Sequence, residues 1–209
     1  MSALNDLTEA IKKGDRKLAT ASTETELAAG TSPNTILEAL IEGMDDVGQR
    51  FKANQIFVPE VLIAARAMKE AMAILEPKLV EAGYKPLATA VVGTVEGDLH
   101  DIGKNLVVMM LKGASFQVID LGTNVSPEKF VEAVKESGAT VVGLSALLTT
   151  TMPAMKKTID AINEARLEGV SVIIGGAPVT QAFADEVGAN GFAPDAASAV
   201  DTVRTLINA

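Results

Sequence analysis

From residue 87 onward the chain alternates between short apolar runs and longer stretches of helical spacing, and this alternation restricts its fold more than any other feature. The apolar runs are Leu87–Val92, Phe116–Leu121, Thr140–Leu144, Val170–Ile174 and Gly191–Ala193. Helices are expected between and after them at Gly103–Lys112, Pro127–Ser137, Met152–Glu168, Val179–Val187 and Ala196–Ile207. A run such as Ala139–Ser145 is apolar along most of its length, which suits a parallel strand covered by helices on both faces. Five β–α units predict an α/β domain, a flavodoxin-like doubly wound parallel sheet in the order 2-1-3-4-5. In that order the winding reverses between strands 1 and 3, so a ligand crevice is expected beyond their carboxyl ends.

The first part of the chain has a different rhythm. Residues 1–82 carry no strand signal. Ser2–Lys13 reads as a helix stopped by Gly14, and Asp15 caps a second that reaches about Ala29, before Gly30. Ser32 and Pro33 are an N-cap and a first-turn proline, followed by Ile36, Leu40, Met44, Val47 and Phe51 at helical spacing. Pro59 opens a fourth helix, with Leu62, Ala65, Met68, Met72 and Leu75 near one face and Pro77 near its end. Short joins between four helices predict an antiparallel bundle. Ala82–Pro86 is the linker, which divides the chain into a helical cap domain, 1–84, and a Rossmann-like domain, 85–209.

Composition removes several classes of function. There is no cysteine, so disulfides, thiolate metal sites and a cysteine nucleophile are excluded. One histidine excludes a multi-histidine zinc site within the chain. A formal net charge of -9 argues against nucleic acid as a partner. No apolar run reaches the roughly 18 residues of a membrane span. Met1–Asp6 has neither a basic flank nor an apolar signal core, so the expected location is the cytoplasm, away from any membrane.

The single histidine, His100, falls between strand 1 and its helix, within Gly93–Gly103. Glu96, Asp98 and Asp101 surround it in sequence, and Gly93, Gly97 and Gly103 allow tight turns and close approach of a ligand. A lone histidine among loop acids is most often a solvated side chain. Here Asp98 stands two residues before His100, so its carboxylate can take one ring N–H and leave the other nitrogen for a metal. Ser145, Thr149, Thr150 and Thr151 follow strand 3, and Gly175-Gly176 follows strand 4, on the same expected edge. Taken alone, Thr150 or Thr151 can be an N-cap and the glycine pair a tight turn. The chain lacks the Gly-x-Gly-x-x-Gly fingerprint of dinucleotide binding and the Gly-x-Ser-x-Gly turn of a serine hydrolase.

Asp98-x-His100-x-x-Gly103, Ser145-x-Leu147 and Gly175-Gly176 together resemble the three-part signature of cobalamin-binding proteins of the methionine synthase and methyltransferase type. Gly48–Phe51 and Phe57–Val61 are similar to that family's helical cap. The resemblance covers nearly the whole chain. It is strongest to the small corrinoid proteins of methylamine, methanol, methoxylated aromatic and quaternary amine methyltransferase systems.

The resemblance implies a role for each matching residue. His100 would be the lower axial ligand of cobalt, in the base-off, His-on mode, with Gly97, Leu99, Asp101 and Gly103 around it. Asp98 would accept a hydrogen bond from His100, with Thr151 where methionine synthase has a serine as third member of the relay. The nucleotide tail would run past Ser145, Leu147 and Thr149 towards Gly175 and Gly176, with Ala196 near its end. Phe51, Val58 and Val61 would cap the methyl-bearing face.

The implied function is that of a methyl carrier. A substrate-specific methyltransferase would load cobalt(I), and a second would pass the group from methylcobalt(III) to a thiol or to tetrahydrofolate. A reductive activase would be a further partner. Two alternatives stay open at this point: a corrinoid-binding regulatory or storage module, and a flavodoxin-like protein for another cofactor. The scarcity of aromatics, one Tyr and six Phe, weakens a flavin.

Overall fold

The structure, a computed structural model, describes residues 3–208. The expected helix start at Ser2 lies outside them. The described chain groups into two compact units. The first ends at Pro86 and takes in Gly113–Ser115, and the second holds Leu87–Lys112 and the chain from Phe116 onward.

The first unit is built from α1 (Ala3–Lys13), α2 (Arg16–Ala28), α3 (Pro33–Lys52) and α4 (Val58–Glu81). Their starts follow local chemistry. Asp15 accepts the Leu18 N–H, Ser32 accepts that of Thr35, and Glu60 reaches back to the Phe57 N–H. Leu7, Ile11, Ile36, Leu40, Met44, Val47, Met68 and Leu75 form a buried interior. The expected face of α4 is partly corrected. Val61, Ala64, Ala67, Met68, Ala71, Leu75 and Leu79 are buried, whereas Leu62 is exposed. The alanines let neighbouring helices approach closely, so the stripe is set by small side chains rather than by the large ones. Pro77 lies inside α4, which runs on to Glu81.

The second unit is a five-stranded parallel sheet in the order β2-β1-β3-β4-β5, as expected. Its elements are β1 (Thr89–Thr94), α5 (Ile102–Gly113), β2 (Gln117–Asp120), α6 (Pro127–Ser137), β3 (Val141–Ser145), α7 (Met152–Glu164), β4 (Ser171–Gly175), α8 (Gln181–Val187), β5 (Gly191–Ala193) and α9 (Ala196–Ile207). Strand β1 begins two residues later than expected and runs two residues further, pairing Gly93 with Leu144 and Thr94 with Ser145. Gly93 is therefore not a loop glycine. A side chain there would lie 2.7 Å from the Phe130 ring, so the residue makes room for packing. Helix α7 stops at Glu164 rather than Glu168, because Arg166 turns to a positive φ. Helix α8 starts later than expected because Thr180 caps it. Among the described residues, no helix is long and apolar enough to cross a membrane.

Candidate functional site at the carboxyl edge of the sheet

The register puts the ends of β1, β3 and β4 side by side, with Thr94 opposite Ser145 and Ser145 opposite Gly175. The loops that carry the motifs thus leave one edge of the sheet. The loop after β1 turns at Gly97, whose φ of +84° is costly for any residue with a side chain. This turn directs Asp98 inward and leaves Leu99 and His100 outside.

Asp98 is fully buried. Its Oδ1 accepts the His100 backbone N–H at 3.0 Å and the His100 Nδ1–H at 2.7 Å. Its Oδ2 accepts the Leu147 N–H at 2.8 Å, the Leu148 N–H at 3.4 Å and the Thr151 hydroxyl at 2.7 Å. Burial by itself would raise the Asp98 carboxyl. The backbone donors of His100 and Leu147, with the Thr151 hydroxyl and the ring, outweigh it and hold the group well below the usual carboxylate range. A carboxylate kept ionised in this way requires the proton of His100 on Nδ1. Nε2 has no hydrogen-bond partner among the described residues, on a side chain that is 50% exposed.

Thr151 occupies the N-cap position of α7, yet its side chain does not cap the helix. Its hydroxyl turns to Asp98 instead, which separates two uses that the sequence left open. Of the three carboxylates near His100 in sequence, only Asp98 touches the ring. Glu96 is exposed, and Asp101 accepts from the Asn105 side chain at the start of α5.

The surroundings of His100 are apolar and open. Leu99 and Ile102 are 74% and 77% exposed, and Leu147 and Leu148 are exposed on the loop after β3. A side chain at Gly103 would meet nothing within 4 Å. Exposed leucine and isoleucine side chains thus lie on the two loops that the Asp98 carboxylate ties together. This donor set suits a flat, apolar ligand that carries a metal able to bind one nitrogen.

The remaining expected residues are distributed along the same edge. The Ser145 hydroxyl has no hydrogen-bond partner among the described residues, and Thr149 is exposed. Gly175 and Gly176 have a packing reason for lacking side chains. A Cβ on Gly176 would lie 1.9 Å from the Ala146 carbonyl oxygen, and one on Gly175 would lie 2.9 Å from that of Ala193. Ala196 is buried as the first residue of α9, next to the Asp195 cap. In the helical unit Phe51 and Val58 are half-buried and Val61 is fully buried.

Four residues of the site were not singled out from the sequence. Thr94 donates its hydroxyl to the His100 carbonyl at 2.8 Å. Asn124 accepts the Gly97 N–H at 2.8 Å and donates its backbone N–H to the Asp98 carbonyl. Lys104 is 2% exposed and donates to both oxygens of Asp120, at 2.5 and 2.7 Å. The available signals were weak: a lysine in a first helical turn, an aspartate ending a strand, and an asparagine able to take a positive φ.

A doubly wound parallel sheet of this order, with a buried carboxylate holding an imidazole at its carboxyl edge, defines the class of α/β proteins whose ligands sit beyond that edge. Comparison with known proteins makes the class specific. A family model described as a B12 binding domain matches residues 88–203, and a second of the same description matches residues 3–76. Trimethylamine corrinoid protein 1 of Methanosarcina acetivorans is 39% identical over 203 residues, covering 95% of this chain and 94% of that protein. A cobalamin-binding protein from Desulfitobacterium hafniense has a crystal structure that superposes with a TM-score of 0.83 at 33% identity, over 97% of this chain and 98% of that one. The methanol:cobalamin methyltransferase complex MtaBC of Methanosarcina barkeri contains a chain that superposes with a TM-score of 0.87 at 30% identity, over 99% of this chain and 80% of that one. The chain belongs to the B12-binding corrinoid proteins of methyltransferase systems.

Proposed function

We propose that this protein is a methyl carrier that binds a corrinoid base-off, with His100 as the lower axial ligand. The observation that carries the reading is the His100–Asp98 pair. One ring nitrogen is held by a buried carboxylate whose other oxygen is already taken by Leu147 and Thr151. The other nitrogen is free on a half-exposed ring. When bound, the corrinoid supplies the cobalt that carries the methyl group.

The chain's own residues do the rest. Asp98 fixes the ring tautomer and supports the imidazole as a donor. Thr151 and the Leu147 amide keep Asp98 ionised. Leu99, Ile102, Leu147 and Leu148 offer apolar surface to the macrocycle, and the open side of Gly103 leaves it room. Ser145, Thr149, Gly175, Gly176 and Ala196 are proposed to line the nucleotide tail, a reading carried by the motif resemblance and by the adjacency of Ser145 and Gly175. The assignment of Phe51, Val58 and Val61 to the methyl-bearing face rests on the resemblance alone. The partners are a substrate-specific methyltransferase, a second methyltransferase to a thiol or tetrahydrofolate, and a reductive activase. Domain limits of 1–84 and 85–209 belong to the same proposal.

The test is the absorption spectrum of the purified protein with hydroxocobalamin, beside His100→Ala, and EPR of the cobalt(II) form. Nitrogen superhyperfine splitting in the wild type, lost in the variant, is expected. A variant with the same spectrum and affinity as the wild type would overturn the axial role of His100.

A further inference from the structure

Lys104 is in the wrong place for helix stability. It is the third residue of α5, inside the first turn, where the macrodipole is positive and disfavours a cation. It is also nearly fully buried, and stripping an ammonium of water is expensive even when it is paired. A methionine of similar length would suit both local conditions better. The side chain is nevertheless fully committed, donating to Asp120 Oδ1 and Oδ2 and to Asn105 Oδ1.

Its partner joins two further segments. Asp120 Oδ1 also accepts the Gly122 N–H at 2.9 Å. The Gly122 carbonyl accepts the Thr94 N–H at 2.9 Å, and the Thr94 hydroxyl binds the His100 carbonyl. From His100 the chain enters α5 and returns to Lys104. A closed circuit therefore surrounds the histidine loop: Lys104, Asp120, Gly122, Thr94, His100 and the first turn of α5. Two residues beyond Gly122, Asn124 clamps the front of the same loop at Gly97 and Asp98.

We infer that Lys104 and Asp120 are positioning residues, which lock the loop after β1 so that His100 is presented at a fixed height for axial coordination. The inference rests on the corrinoid reading above. Neither residue touches the His100 ring. Their effect passes through the backbone, at the His100 carbonyl on one side and the start of α5 on the other.

The test uses the full chain with K104M, D120N and K104R. In the protein without cofactor, amide hydrogen exchange is followed at Gly97, Gly122 and Asn124. About tenfold faster exchange at these amides is expected in K104M and D120N, with the thermal midpoint of K104M close to wild type and that of D120N lowered, because it leaves the buried ammonium without its carboxylate. With hydroxocobalamin, the share of cobalt(II) signal showing nitrogen splitting is expected to fall, and Kd to rise about tenfold, the size seen when a group orienting a metal ligand is removed. K104R, which keeps the charge, is expected to recover part of the splitting. Unchanged exchange at Gly97 and Asn124 in both folded variants overturns the inference, as does an unchanged His-on share. If K104M does not fold, D120N decides in the same way. A wild-type protein that binds no corrinoid defeats the proposed function, whereas the exchange measurement still decides whether the pair holds the loop.

Discussion

Two loops on the same sheet edge are held in place by opposite means. The loop after β1 is fixed by hydrogen bonds: Asp98 accepts five, and Thr94, Asn124 and Lys104 brace its ends. The loop after β4 is fixed by the removal of atoms, since Gly176 lies where any side chain would strike the Ala146 carbonyl. The two devices meet. Ala146 immediately precedes Leu147 and Leu148, whose amides hold Asp98. Crowding at Gly176 thus sets the position of donors that act on His100. The comparison teaches that a glycine can serve a neighbouring loop through the close backbone approach it permits, whatever else it touches.

The largest expected effect is that of Gly176→Ala. A φ of +135° and a Cβ 1.9 Å from a carbonyl oxygen leave no relaxed solution. Loss of at least about 3 kcal/mol of stability is expected in urea unfolding, together with a weakened cobalt–nitrogen signature. A stable variant with unaltered splitting would break the link between the two loops.

Asp98→Ala should come next. It leaves the Leu147 N–H without its acceptor, leaves the Thr151 hydroxyl only the Leu148 carbonyl, and frees the His100 ring, at a cost of about 2–4 kcal/mol. Chemical denaturation of the protein without cofactor measures the first effect, and the EPR splitting measures the second.

Thr151→Val should cost about 1–2 kcal/mol at neutral pH, whereas Thr151→Ser should keep most of the bond. The pH dependence sharpens the reading. Asp98 has a lower pKa folded than its ordinary unfolded value of about 3.9, so its contribution is present above that pH and is lost as pH falls below it. Because Thr151 supports that depression, the deficit of Thr151→Val should be largest near pH 7 and should shrink as pH drops below about 4. A deficit independent of pH would assign Thr151 to packing alone.

Gly103→Ala should be the mildest for stability. The position is helical and open, so a change of no more than about 0.5 kcal/mol is expected, towards greater stability. Corrinoid affinity should nevertheless fall if the macrocycle lies over that face. Equal affinity would place the ligand elsewhere on the loop.

The alternation of apolar runs and helical stretches was enough to give five parallel strands and their order, because crossover handedness and burial leave few other arrangements. The pairing of Asp98 with His100 was also legible, because two residues apart in a turn is a local relation. So was the family, because its motifs are short and linear. Boundaries moved by a few residues where capping and tertiary packing decided them, as at Gly93 against Phe130 and at Thr180.

What only the tertiary structure decided is long-range. That Thr151 serves Asp98 rather than its own helix depends on a contact across 53 residues of chain. That Gly176 answers to Ala146 depends on two adjacent loops. The partner of Lys104 stands 16 residues away at the end of another strand. Residue type and spacing report what a side chain can do. Which partner it takes is settled by sheet register, which brings the ends of β1, β2, β3 and β4 within reach of one another.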